Sequence, residues 1–202
     1  MRPLFTLCAT LALGLAMPGG IAAPGLAQET DYGQPSEYSE PVDTYSQDEM
    51  VDAVSDFFGV TAEAAASVLE RVFDDLGRPV GYVAGEEVAG AIGVGLRYGE
   101  GYLTLKDGGR HKVYWRGPSV GFDAGGNASR VFVLVYNLDD VDRLYQRFPG
   151  VEGSAYFVAG MGVNYQRADD ITLAPIRSGV GFRAGANIGY LAYSRRRAWL
   201  PF

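Results

Sequence analysis

Residues 119–137, SVGFDAGGNASRVFVLVYN, are echoed by residues 178–193, SGVGFRAGANIGYLAY. Val120 to Asn127 aligns with Val180 to Asn187 at six of eight positions, the clearest differences being Asp123 against Arg183. Two readings compete for such glycine-rich segments: a loop that cradles phosphate, or a strand in a β-wall. A dinucleotide loop needs G-x-G-x-x-G between a strand and a helix, so that helix amides face the pyrophosphate. Gly179-x-Gly181-x-x-x-Gly185 and Gly93-x-Gly95-x-x-x-Gly99 each carry one residue too many, and aromatic or β-branched sequence follows instead of a helical period.

At period two the same segments become regular. Val180, Phe182, Ala184, Ala186, Ile188 and Tyr190 share one strand face, and Gly179, Gly181, Arg183, Gly185, Asn187 and Gly189 share the other. Gly93, Gly95, Arg97, Gly99 and Gly101 repeat the parity opposite Val94, Leu96, Tyr98, Glu100 and Tyr102. The apolar face is expected to pack and the glycine face to stay small. Glycine weakens a strand but permits the coiling and close backbone approach that small barrels require. The echo therefore predicts two similar barrel staves.

Outward from these segments, tyrosine, valine and glycine dominate everything after Val80. Strands are predicted at 80–84, 87–97, 100–106, 111–116, 118–124, 129–137, 154–165, 170–174 and 178–193, with Asp107-Gly108-Gly109 as a hairpin turn. One helix is expected within the series, where Asn137 would cap LDDVDRLYQRF and place Leu138, Val141, Leu144, Tyr145 and Phe148 at helical spacing. Before Val80 the period is 3.6. Ser46-Gln47-Asp48-Glu49 forms a capping box ahead of Met50, Val51, Val54, Phe57 and Phe58, and Gly59 stops that run. Thr61 caps a second helix bearing Ala65, Val68, Leu69, Val72, Phe73 and Leu76, ended by Gly77 and Pro79. The expected fold is mainly β: a small soluble β-barrel of about eight strands with N-terminal helices and one inserted helix.

Residues 1–27 read as a secretory signal peptide. Arg2 precedes an apolar run from Leu4 to Met17, and Gly25-Leu26-Ala27 offers the small residues signal peptidase prefers, so the mature chain is expected to start at Gln28. Cleavage would remove Cys8, the only cysteine, and with it any intramolecular disulfide or thiolate ligand. No later apolar run reaches the roughly 20 residues of a spanning helix, and the expected location is the periplasm. Residues 28–45 form an acidic leader with Pro35 and Pro41 and few groups to bury, expected to be disordered. Residues 46–202 form one barrel domain, with 46–77 as its helical segment. Residues 28–70 hold eleven acids and no base, whereas 71–202 hold sixteen Lys and Arg against thirteen acids. A body so weakly basic on an exported chain makes nucleic acid a poor partner.

Catalytic patterns find little support. Gly117 to Gly121 matches G-x-S-x-G around Ser119, but the nucleophile elbow requires strand, turn and helix, and His111 precedes the serine instead of following it. His111 is the one histidine and lies among cations at the hairpin shoulder, read as a surface residue. Glu86-Glu87 and Asp139-Asp140 are adjacent pairs, and neighbours in a strand point to opposite faces, so neither is an acid/base dyad. One histidine without cysteine gives a transition metal little to bind. No enzyme, cofactor or metal is expected.

Four blocks, GRPVGYVAGEEVAGAIGVGLRYGEG, HKVYWRGPSVGFDAGGNASRVFVLVYNL, LYQRFPGVEGSAYFVAGMGV and LAPIRSGVGFRAGANIGYLAYSRR, resemble in content and order the envelope integrity protein A family of alphaproteobacteria, long catalogued as a domain of unknown function. The likeness covers about residues 46–202. It implies a periplasmic β-barrel with peripheral helices that the envelope needs, and it carries no catalytic residues. Trp115-Arg116-Gly117-Pro118, followed by glycine-rich strands, is also similar to the W-x-x-P segment of the SYLF lipid-binding domain. The expected function is binding of an envelope lipid, glycan or protein. Arg97, Tyr98, Trp115, Arg177, Arg183 and Tyr190 are the candidate contacts, because basic and aromatic groups suit phosphate-bearing lipid or glycan. The alternatives are lipid carriage in an internal cavity and a small outer-membrane barrel.

Overall fold

Ser46 accepts a hydrogen bond from the Glu49 amide while the Glu49 carboxylate accepts from the Ser46 amide, and helix α1, Gln47–Phe58, starts from this box. The computed structural model describes residues 43–178 and 189–198, with 90–94 and 119–127 described through their backbone alone. The expected signal peptide, most of the expected leader, and residues 179–188 with Arg183 lie outside the described residues. Gly59 ends α1 in the left-handed region at φ 69°. Thr61 caps α2, Ala62–Leu76, through the Ala64 amide, and Gly77 ends it at φ 76°.

Two very long strands follow. β1, Gly81–Leu105, has 25 residues and β2, Arg110–Tyr136, has 27; they pair antiparallel along their length, with one register shift between Ala89 and Ala91. The turn between them is the predicted Asp107-Gly108-Gly109, where Gly108 takes φ 99° and the Asp107 carboxylate accepts from the Gly109 amide. The six short strands expected over 80–137 are thus two, because the glycines bend the chain without interrupting its ladder. β1 coils until its ends meet, and the Lys106 amide donates to the Val80 carbonyl at 3.0 Å. At the crossing a Cβ on Gly85 or Gly101 would strike the opposing backbone of the same strand.

Six short strands complete the sheet among the described residues: β3 Arg147–Pro149, β4 Tyr156–Val158, β5 Met161–Val163, β6 Gln166–Ala168, β7 Ile171–Ser178 and β8 Tyr190–Ser194. The expected strand at 154–165 breaks into β4 and β5 at Ala159 and Gly160, both at positive φ, the geometry of a two-residue hairpin turn. Pairing then runs in a circuit. The C-terminal part of β2 pairs with β7, β7 with β6, Gln166 with Gly150 through a single bridge, β3 with β8, and β8 with the N-terminal part of β2. The sheet curls into a barrel by this route.

The inserted helix is a correction. Asn137 adopts φ 59°, in the left-handed region where an N-cap would be extended, and its side-chain amide Nδ2 donates to the Asp170 carbonyl at 3.0 Å. Asp140 instead caps a single 3-10 turn, Val141–Leu144, and Phe148 enters β3. The apolar residues read as a helical stripe still go inward: Leu138, Leu144 and Phe148 are buried in the barrel.

Two apolar layers result. Val131, Val133 and Val135 of β2 point into the barrel with Val83, Leu103, Val113, Trp115 and Leu173. The alternate residues Phe132, Leu134 and Tyr136 point outward beneath Val54 of α1 and Val68, Leu69 and Val72 of α2. The continuous run VFVLVY thus marks a segment covered on both faces.

The face expected to pack in β1 is the outer one: Leu96 is 41% and Tyr102 43% exposed. The glycine face turns inward because Trp115, 2% exposed, takes the room it leaves. A Cβ on Gly99 would collide with the indole ring. Gly99→Ala is therefore expected to cost about 1–3 kcal/mol through overpacking, read from the urea midpoint; an unchanged midpoint would show that the indole does not rest on Gly99.

Candidate functional site

The inward parity of β1 passes through Val83 and Gly85 to Glu87, 3% exposed, while its neighbour Glu86 is exposed on the other face. Glu87 meets a set of polar groups from separate parts of the sheet. Its Oε1 accepts from Arg177 Nε of β7 at 3.2 Å and lies 3.4 Å from Arg97 Nε of β1. Its Oε2 accepts from Trp115 Nε1 of β2 at 2.9 Å. Arg177 Nη1 donates onward to Asn164 Oδ1 at 2.9 Å. Arg97, Asn164 and Arg177 are each 9% exposed or less.

The charge state follows from the surroundings. Burial by itself would raise the Glu87 carboxyl, but Arg177, Arg97 and the indole N–H overcome it and hold the group below its ordinary value. Burial pulls the Arg97 guanidinium down, opposed by Glu87. Burial likewise raises the Tyr193 hydroxyl beside this cluster. Glu87 is thus a buried carboxylate held ionised by two arginines, with both oxygens engaged. Such a group ties strands together; its lone pairs are committed and its proton is absent at neutral pH.

Of the six residues expected to make contacts, Arg97, Trp115 and Arg177 converge on Glu87 inside the barrel. Tyr98 and Tyr190 lie on the outer face of the same wall: Tyr98 is in register with Arg116, and the Arg147 guanidinium sits 5.1 Å from the Tyr190 ring centre. Arg183 is outside the described residues. Sequence reasoning missed Glu87 as a member, although its parity with Val83 and Gly85 was the available signal. It also missed the aromatic and cationic series on the outer wall. There Arg110 lies 4.3 Å from the Tyr102 ring centre, Lys112 lies 4.7 Å from the same ring, and Lys112 lies 5.5 Å from Tyr114. Ser119 sits in mid-strand, paired with Gly95, so its G-x-S-x-G pattern has no turn into a helix. His111 is half-buried at the start of β2, opposite Leu103.

Residues 43–202 match the family described as envelope integrity protein A. The chain belongs to the envelope integrity protein A family. A solved crystal structure, a beta-barrel-like, uncharacterized protein from Brucella abortus, is 51% identical, with a TM-score of 0.72, covering 79% of this chain and 99% of that one. No curated protein matches. In this member of the family the barrel reading is supported by that likeness and by the pairing circuit alike, and no described helix is long and apolar enough to cross a membrane.

Removing the carboxylate should leave both guanidinium groups buried with a weaker partner. Glu87→Gln is expected to cost about 3–5 kcal/mol at neutral pH, as for one member of a buried ion pair. Because the folded-state value is depressed, the Glu87 contribution is fully present above the unfolded carboxyl value of about 4.3 and is lost as pH falls through the folded value. Urea unfolding at falling pH should show the gap between the native chain and Glu87→Gln narrowing below about pH 4. A gap that stays constant or widens would refute the assignment.

Proposed function

We propose that this chain is exported to the periplasm and supports envelope integrity there without catalysis, by binding an envelope component on the outside of its barrel. The observation carrying this reading is the interior. Trp115, Phe148, Leu103, Leu173 and Ile171, each 2% exposed or less, fill the barrel around the Glu87 cluster. Lipid carriage would need that space open. The outer-membrane alternative is also disfavoured, because such barrels carry apolar residues outward in a band and polar ones inward. Here Val131, Val133 and Val135 point inward, and amphipathic helices cover part of the outside.

Support for export is the residue 1–27 pattern with its cleavage motif. Support for a non-catalytic role is the mid-strand Ser119, the saturated Glu87 and the outward separation of Glu86. Osmotic shock of the native host should release the protein without detergent, with Gln28 at its N-terminus. A strain lacking the protein should become sensitive to detergent and envelope stress. Ser119→Ala, His111→Ala and Glu86→Gln should each restore resistance as the native chain does. Loss of rescue by any one of them, at normal protein level, would overturn the non-catalytic reading.

A further inference from the structure

The helices cover the barrel along the C-terminal part of β2 and β7, and the wall built from the later part of β1, the earlier part of β2, β8 and β3 lies elsewhere on the sheet. Its outward residues follow from register. Thr104 pairs with Arg110, Tyr102 with Lys112, Glu100 with Tyr114, and Tyr98 with Arg116. Arg116 continues the row through Ala192 to Arg147. Cations and tyrosines therefore alternate across one strand-built surface.

The charge on this wall is one-sided. Among the described outward side chains of these strand segments, Arg110, Lys112, Arg116 and Arg147 stand against a single acid, Glu100. Glu100 is itself engaged by Lys112 at 3.4 Å and by Arg197 from beyond β8. The full chain carries −7, so the concentration of cations here runs against its overall balance. Arg116 Nε is buried without a hydrogen-bond partner among the described residues, and its Nη1 makes a long contact, 3.4 Å to Ser194 Oγ.

We propose that this wall docks on an anionic lipid leaflet. The inference rests on the envelope-binding reading above and names its surface and ligand chemistry. A leaflet fits better than a protein partner because the cationic heads are spread over a sheet face, interleaved with tyrosines. Tyrosine rings suit the headgroup level of a bilayer, with an apolar body and a polar tip. Lys and Arg bring their charges to lipid phosphates while their stems lie along apolar surface. Leu96, 41% exposed beside Tyr98, adds an apolar contact at the same edge.

The test is sedimentation of the mature chain with vesicles of phosphatidylcholine alone and with vesicles enriched in phosphatidylglycerol. Binding is expected to the anionic vesicles alone and to weaken with added salt. Each cation removed near such a surface should weaken partition about fivefold, so Lys112→Ala with Arg116→Ala should weaken it about 25-fold. Arg71→Ala, on α2 and 60% exposed, should change nothing. Should the double variant fail to fold, Lys112→Gln alone should give the fivefold loss and Lys112→Arg should restore binding. Indifference of the native chain to anionic vesicles at low salt, or an equal loss in Arg71→Ala, would overturn the proposal. If vesicles are ignored while the double variant, folded, fails to rescue the strain, the wall serves a glycan or protein; the leaflet proposal then falls and the envelope role stands.

Discussion

Trp115 rests on glycine. Its indole occupies the inner side of β1 where Gly85 and Gly99 present no side chain, and from that position its N–H reaches Glu87. The rest of the barrel depends on this arrangement. With the ring seated, the carboxylate is fixed between Arg97 and Arg177, and β1, β2 and β7 are joined at one point in the interior. A larger residue at either glycine would displace the ring, and the ion pairs would lose their geometry with it. The interior is thus specified by shape at one end of the indole and by charge at the other.

The strand character of the chain from Val80 onward was legible in its period-two alternation, and both helix starts were legible from Ser46 and Thr61, since capping is a local interaction. What could not be read was the sense of the alternation in β1. A face of Leu96, Tyr98 and Tyr102 looks like a core face, and a face of Gly99 and Gly101 looks vacant, until Trp115 arrives from another strand to fill it. Strand ends at glycines were misplaced for a related reason: a glycine bends a ladder as readily as it ends one. Asn137 misled because it turns the chain at a left-handed φ of 59° and ties it to the Asp170 carbonyl, 33 residues away, a partner local sequence does not reveal.

The candidate site was half legible. Arg97, Trp115 and Arg177 were selected for their chemistry, and they do meet, but around a carboxylate that claims them inside the barrel. Arginine and tryptophan suit a phosphate and a buried glutamate equally well, so composition could not decide between ligand and counter-ion. The outer-wall series needed the β1 to β2 register before Tyr102, Lys112 and Tyr114 became neighbours.

The pairing circuit has seams of unequal strength. Strands of 25 and 27 residues hold one side together through a continuous ladder, and the turn joining them makes those contacts sequential. The other side is closed between β3 and β6 by one bridge, Gly150 with Gln166. Opening free energy is distributed by such differences. The barrel has a hinge side and a latch side: its least costly partial unfolding is expected to part β3 from β6 and admit solvent to Phe148 while the long hairpin stays zipped.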